Sequence, residues 1–168
     1  MKFRIAQKPD WQKITDIYNQ AVDDGMNTAD TEHVELDKRI DWFYQHNETD
    51  YPIIVAETEK EIVGWCSLSP YRPGRKALRR TAEISYYLDR SYRGKGLGTE
   101  LVDYSIKLAK SIGIKNLLAI LLDENRISIK LLEKFGFSEW GHLPDIADFD
   151  DRKCGQYIYG RNIEDYQN

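Results

Sequence analysis

Residues 1–6, Met-Lys-Phe-Arg-Ile-Ala, alternate in the manner of a strand. Pro9 and Asp10 then open a helical pattern, with Trp11, Ile14, Tyr18, Ala21 and Val22 recurring at helical spacing up to Gly25. A second helical face follows the polar stretch 26–33, marked by Leu36, Ile40 and Phe43 and ending near His46 and Asn47. Two strand runs, 53–56 and 62–68, flank the polar turn 57–61 and read as a hairpin, and Pro70 to Gly74 break the pattern. A third run, 81–88, leads into a glycine-rich segment. Beyond it Leu101, Val102, Ser105, Leu108, Ala109 and Ile112 form one helical face, closed by Gly113. The continuous apolar run 117–122 predicts a strand buried on both faces, and 127–135 a short helix stopped by Gly136. A last strand pair is expected at 137–143 and 154–159, joined by the acidic stretch 144–153, whose pattern specifies no element. This order predicts an α/β domain: a central mixed, mostly antiparallel sheet flanked by about four helices, with one domain over residues 1–168.

Composition narrows the function classes. Apolar residues make up 41% and charged residues 31%, enough for a packed core under a solvated surface. No apolar run approaches the roughly 18 residues of a spanning helix, and the N-terminal pattern reads as a strand rather than a signal peptide, so the expected compartment is the cytoplasm, with no membrane partner. A net charge of −4 disfavours nonspecific nucleic-acid binding. Cys66 and Cys154 read as buried small hydrophobes, and His33, His46 and His142 share no metal-ligand spacing, so no metal is expected and the histidines receive no role. Trp11, Trp42, Trp65 and Trp140 sit in apolar segments and read as core.

The sharpest feature is Arg93-Gly94-Lys95-Gly96-Leu97-Gly98, between the strand 81–88 and the following helix. Glycines let a ligand approach the backbone, and unpaired N–H groups at a helix start favour an anion such as a diphosphate. The segment is not a P-loop, because no Gly-Lys-Ser/Thr follows a four-residue spacer. It also lacks the third glycine of a dinucleotide fingerprint. A glycine-rich turn before an ordinary helix is the bland alternative.

These residues resemble the GCN5-related N-acetyltransferase superfamily, whose acetyl-CoA loop Arg/Gln-x-x-Gly-x-Gly/Ala is matched by Arg93, Gly96 and Gly98. A second family signature appears as Asn125-Arg126-Ile127-Ser128 through Lys134-Phe135-Gly136-Phe137. The segment 17–22, Arg39 with Trp42 and Phe43, and Thr81-Ala82-Glu83 look closest to the phosphinothricin and methionine sulfoximine acetyltransferase subgroup. The resemblance implies the three-layer fold of that superfamily, acetyl-CoA as co-substrate and a small primary amine as acceptor. It implies backbone contacts from Tyr86, Tyr87 and Leu88 to the pantetheine. The diphosphate would be held by the loop after Arg93, namely Gly94, Lys95, Gly96, Leu97, Gly98 and Thr99, with Asn125 and Lys134 further along the cofactor. A homodimer is common among such proteins.

The chemistry adds a demand of its own: an amine attacks a thioester only when neutral, and free amines have pKa values near 8 to 10. Glu83 is the candidate general base, its pKa raised by burial, directly or through a water; a carboxylate on the solvent side of the strand, or one paired with Arg79 or Arg80, is the alternative. The thioester oxygen needs a donor, for which the backbone N–H of Tyr87 or Leu88 is the candidate. Where relatives place a Tyr or His to protonate the leaving thiolate, this chain has Leu132, which leaves the general acid unassigned. The basic loop 71–80, with Arg75 and Lys76, reads either as a binder of a substrate carboxylate or as a solvated loop. Leu78 stands where the subgroup has an aromatic, which implies an altered substrate pocket. Asp145, Asp148, Asp150 and Asp151 read as attracting a cationic amine or as plain solvated charge. Two rival functions stay open: acetylation of a protein N-terminus or lysine, and noncatalytic sensing of acetyl-CoA.

Overall fold

The structure is a computed structural model, and it describes residues 1–59 and 61–167. Lys60, in the hairpin turn expected at 57–61, lies outside the described residues. Seven strands occur in chain order: β1 (Lys2–Ile5), β2 (Ile53–Glu57), β3 (Ile62–Pro70), β4 (Thr81–Leu88), β5 (Asn116–Leu122), β6 (Ser138–Asp148) and β7 (Lys153–Asn162). Four α-helices accompany them: α1 (Trp11–Asp24), α2 (Leu36–Tyr44), α3 (Leu97–Ser111) and α4 (Arg126–Lys134). The strands form one sheet in the order β1-β2-β3-β4-β5-β7-β6. Among the described residues only the β4–β5 pair is parallel, which requires the α3 crossover between them.

The sheet has a helix pair on each face because each face carries its own apolar set. Ala82 and Ile84 of β4 and Leu117 and Ala119 of β5 pack with Leu97, Leu101, Ile106, Ile129 and Leu132 of α3 and α4. The opposite face joins Ile53, Val55 and Trp65 to Ile14, Ile17 and Phe43 of α1 and α2. Helix α1 follows a 3-10 turn at Lys8–Asp10 and ends at Gly25, whose φ of 69° only glycine adopts cheaply and whose N–H returns to Val22 O. Both cysteines are free and buried, and burial pushes the Cys66 thiol up to about 12, so it packs as a small hydrophobe.

Three sequence expectations are corrected. Helix α2 stops at Tyr44, two residues short of His46; His46 instead folds back, its Nδ1 bonding Trp42 O at 2.7 Å and its Nε2 meeting Ser69 Oγ at 3.0 Å. The acidic stretch 144–153 is mostly strand. β6 runs on to Asp148 through a register shift between Leu143 and Ala147, with Asp145 at a φ of 52°. An edge strand carries charge without losing its ladder bonds, which is why composition concealed it. Trp140 is not core: it is 53% exposed and lies flat over Gly160, where the absence of a Cβ admits the indole.

Candidate functional site

β4 and β5 pair at Thr81↔Asn116, Ala82↔Leu117 and Glu83↔Leu118, and then part. A cleft of about 390 Å³ opens where they separate, between β4, the glycine loop and the first turns of α4. The ladder decides which backbone groups face it. Asp89 donates to Val63 O of β3, and in an antiparallel pair alternate residues bond the same neighbour. Glu83, Ser85 and Tyr87 therefore direct their N–H groups to β3 and Ile84, Tyr86 and Leu88 theirs to the β5 side; Ile84 closes the last ladder pair, and beyond it the N–H groups of Tyr86 and Leu88 point across the opening, where β5 no longer accepts them. Of the two donors expected from sequence, the N–H of Leu88 faces the cleft. That of Tyr87 is committed to the ladder.

The loop from 93 to 98 builds one wall. Gly94 and Gly96 have φ of 73° and 86°, and Gly96 is the N-cap of α3. Among the described residues, no backbone carbonyl accepts from the N–H groups of residues 94 to 98, so five consecutive donors remain at a helix N-terminus. A Cβ on Gly98 would meet Leu131 and Leu88 at 3.4 Å, which is why a small residue keeps the cleft open there. Gly94, Gly96, Gly98 and Thr99 line the cleft. Arg93 lines it too, but its Nε donates to Leu88 O at 3.1 Å and its guanidinium pairs with Asp24, so it ties the loop to α1. Lys95 donates to Ser91 O at 2.8 Å and lies over the Tyr92 ring, and Leu97 is 5% exposed in the core. Neither side chain lines the cleft.

The facing wall is α4. Asn125 is its N-cap, accepting from Ser128 N–H at 3.1 Å, and both residues line the cleft with Leu132. Lys134 is exposed at the other end of the helix, about two and a half turns away. The Tyr86 hydroxyl is buried without a hydrogen-bond partner, although Ser128 is close enough to act on it. Tyr86, Tyr87 and Leu88 all line the cleft.

Glu83 stands at the last β4–β5 pair, just before the cleft, on the α1/α2 side with Ser85 and Tyr87. Burial holds its carboxyl above the usual carboxylate range, moderated by Ser85. Among the described residues it forms no ion pair, so the expected alternative, pairing with Arg79 or Arg80, is not what the fold builds. Arg79 instead donates to Lys76 O at 2.9 Å. Arg75 and Lys76 are exposed, Leu78 is half-buried, and none of the three lines the cleft.

The chain from Trp11 to Phe137 matches the model of the Acetyltransferase (GNAT) family. It belongs to that family. YwnH of Bacillus subtilis (strain 168), a provisionally named phosphinothricin acetyltransferase, is 39% identical over 164 residues, 97% of this chain and 99% of that protein. An L-methionine sulfoximine/L-methionine sulfone acetyltransferase of Pseudomonas aeruginosa is 33% identical over 156 residues, covering 92% of this chain and 88% of that one. The solved structure of a GNAT superfamily phosphinothricin acetyltransferase from Sinorhizobium meliloti in complex with AcCoA superposes with a TM-score of 0.88 at 26% identity, covering 96% of this chain and 87% of that one. This GNAT acetyltransferase therefore shares both sequence and architecture with enzymes that acetylate small amino-acid analogues.

One residue escaped the functional reading of the sequence. Arg39 is buried at 8% exposure, its guanidinium carbon 4.4 Å from the Tyr18 ring centroid and 4.5 Å from that of Trp42. The signal was present: position 39 lies three residues after Leu36 and four before Phe43, on the apolar stripe of α2.

Proposed function

We propose that this protein transfers the acetyl group of acetyl-CoA to the primary amine of an amino acid or amino-acid analogue. The observation that carries the reading is the pairing of the two halves of the site across β4: an anion cradle and splayed strands on one side, and on the other a half-buried carboxylate without an ion pair among the described residues. The relatives compared above bear the names of phosphinothricin and methionine sulfoximine acetyltransferases, and one structural neighbour holds AcCoA.

The residues fit the co-substrate. The five free N–H groups of residues 94–98 take the diphosphate, and Gly98 leaves the space that a Cβ would fill. One of the free N–H groups of Tyr86 and Leu88 bonds a pantetheine carbonyl as an added strand would. Acetyl-CoA supplies the acetyl group as a thioester. Glu83 takes the proton that the ammonium must lose, directly or through a water, and burial, which holds its carboxyl above the usual carboxylate range, makes it a stronger base than an exposed carboxylate. The N–H of Tyr86 or Leu88 faces the charge that builds on the thioester oxygen. Leu132 is 1% exposed and offers no proton; the thiolate, with a free pKa near 8.5, leaves as such or takes its proton from water.

The test is release of CoA thiol from acetyl-CoA and a panel of amines: methionine sulfoximine, phosphinothricin, a polyamine, an aminoglycoside and a basic peptide. Release with the amino-acid analogues alone supports the reading. Release with the peptide alone replaces it by protein acetylation, and tight acetyl-CoA binding without release to any amine replaces it by a sensor role.

A further inference from the structure

Glu83 has a hydroxyl beside it on the α1/α2 side of the sheet. Its partner in the β3 ladder is Ser69, and residues paired across an antiparallel ladder share a face, with Cβ atoms about 5 Å apart. A serine hydroxyl and a glutamate carboxyl meet across such a gap without backbone movement. From its other side Ser69 is engaged by His46, whose Nε2 lies 3.0 Å from Ser69 Oγ. His46 follows the end of α2 and is half-buried against the Trp42 ring, at 4.4 Å between centroids.

The second bond of the imidazole fixes its tautomer. His46 Nδ1 lies 2.7 Å from Trp42 O, and a carbonyl only accepts, so Nδ1 carries the hydrogen. Burial, aided by the nearby Arg39 guanidinium, holds the ring below the usual imidazole range, so at pH 7 and above it is neutral and Nε2 is an acceptor. Ser69 therefore donates to Nε2, and a hydroxyl has one proton to give. What Ser69 has left for Glu83 is a lone pair. A lone pair does nothing for a carboxylate but accepts a hydrogen bond from a carboxylic acid, so it favours Glu83 after Glu83 has taken a proton. Ser85, on the same strand, acts on the carboxyl in the opposite sense, and Tyr87 is the ionisable neighbour on this face that feels the Glu83 charge. Were the imidazole absent, the Ser69 proton would turn to the carboxylate and weaken the base.

We infer that His46 is a positioning residue for the base: acting through Ser69, it keeps a hydroxyl oxygen rather than a hydroxyl proton turned toward Glu83. The arrangement is prepared for the state that the reaction creates, in which the proton taken from the ammonium sits on Glu83 and is donated to Ser69 Oγ. No ligand need touch His46 or Ser69, neither of which lines the cleft. The inference rests on the proposed function in taking Glu83 as the base, and its test is read on the unliganded protein as well as by turnover.

The experiment compares wild type, S69A, H46F and the double variant. Carbon-13 titration of the Glu83 carboxyl, assigned with E83Q, is followed beside the nitrogen-15 shifts of the His46 ring, thermal unfolding, and kcat/KM as a function of pH. The wild-type ring is expected as the neutral Nδ1–H tautomer at slightly alkaline pH. The Glu83 midpoint is expected to fall by roughly half to one pH unit in H46F, the worth of one hydrogen bond, and by less in S69A, which loses the acceptor without gaining a donor. In the S69A background H46F should move it no further, because the hydroxyl through which His46 acts is gone. In H46F kcat/KM above the limb should fall about three- to tenfold, with the acid limb displaced to lower pH and the affinity for CoA unchanged. S69A carries the test if H46F fails to fold, since its midpoint must still fall. A loss of rate with the limb unmoved is a merely structural effect, and an upward displacement means that His46 acts only as a charge; either overturns the inference. So does an equal response to H46F with and without the Ser69 hydroxyl. Absence of acetyl transfer with the midpoints in the expected order would instead sink the proposed reaction and leave the hydrogen-bond chain standing.

Discussion

Replacing Glu83 by Gln keeps the shape and hydrogen-bonding capacity of the side chain and removes its ability to take a proton. Glu83 lies one residue short of the cleft and does not line it, so the affinity for acetyl-CoA in E83Q should stay within about twofold. The rate should not: a positioned general base is worth about 10²- to 10⁴-fold, and kcat/KM for the acceptor should fall by that amount. The pH dependence sharpens the test. Burial raises the folded pKa of Glu83, so in wild type kcat/KM rises with pH through a value above the ordinary carboxylate range, and in E83Q that limb disappears. Stability moves the opposite way. A carboxyl whose folded pKa is raised binds its proton more tightly when folded, so it favours folding at low pH, and this contribution is lost as pH rises from the ordinary carboxylate pKa through the folded value. At pH 7 to 8, E83Q should therefore match or exceed wild type in Tm. Steady-state kinetics from pH 5 to 9 with thermal unfolding at each pH reads all of this. An E83Q protein with kcat/KM within tenfold of wild type, or with the acid limb intact, would refute the assignment of the base.

Three further outcomes follow from local geometry. Arg4 holds Asp10 through bonds of 2.6 and 3.0 Å and Glu57 through one of 2.7 Å. Burial pushes the Asp10 carboxyl up, yet the bonds from Arg4 and the Gln7 N–H hold it below the usual range, so its stabilisation is present above the ordinary carboxylate pKa and is lost as pH falls through the folded one. D10N should cost about 1–3 kcal/mol at pH 7 and flatten the acid side of the stability profile measured by urea unfolding. N125A removes the cap that accepts from Ser128 N–H and should cost about 1 kcal/mol while raising KM for acetyl-CoA, because the first turn of α4 frays into the cleft; an unchanged urea midpoint would contradict the capping role. A Cβ at position 160 would stand 2.1 Å from the Trp140 ring, so G160A should lift the indole into water at a cost of about 1 kcal/mol, seen as a red shift and added quenching of its fluorescence.

The chain's periodicities alone determined much of this protein. Alternation and helical spacing placed six of the seven strands and all four α-helices to within a few residues, because each element buries one face and the pattern of apolar positions records which face that is. The glycine loop was equally legible, since φ near +80° at Gly94 and Gly96 is a demand that few residue types meet. The seventh strand, β6, was legible only in its first half. At the sheet edge neither face need be apolar, so Pro144 to Asp148 carried no periodic signal.

What tertiary structure decided is which groups are free. Arg93 and Lys95 look in sequence like cations offered to a phosphate, yet one is tied to Asp24 and the other to Ser91 O. Tyr87 and Leu88 look equivalent as donors, and ladder parity alone separates them. Arg75 and Lys76 look in sequence like the anion binders, but they face water, while Arg39, one charge on an apolar helical stripe, is buried against the Tyr18 and Trp42 rings with no carboxylate paired to it among the described residues. Hydrogen bonds and ion pairs between distant segments use up donors and acceptors only once the sheet brings those segments together, so a chemical inventory read along the chain cannot say which groups remain for a ligand.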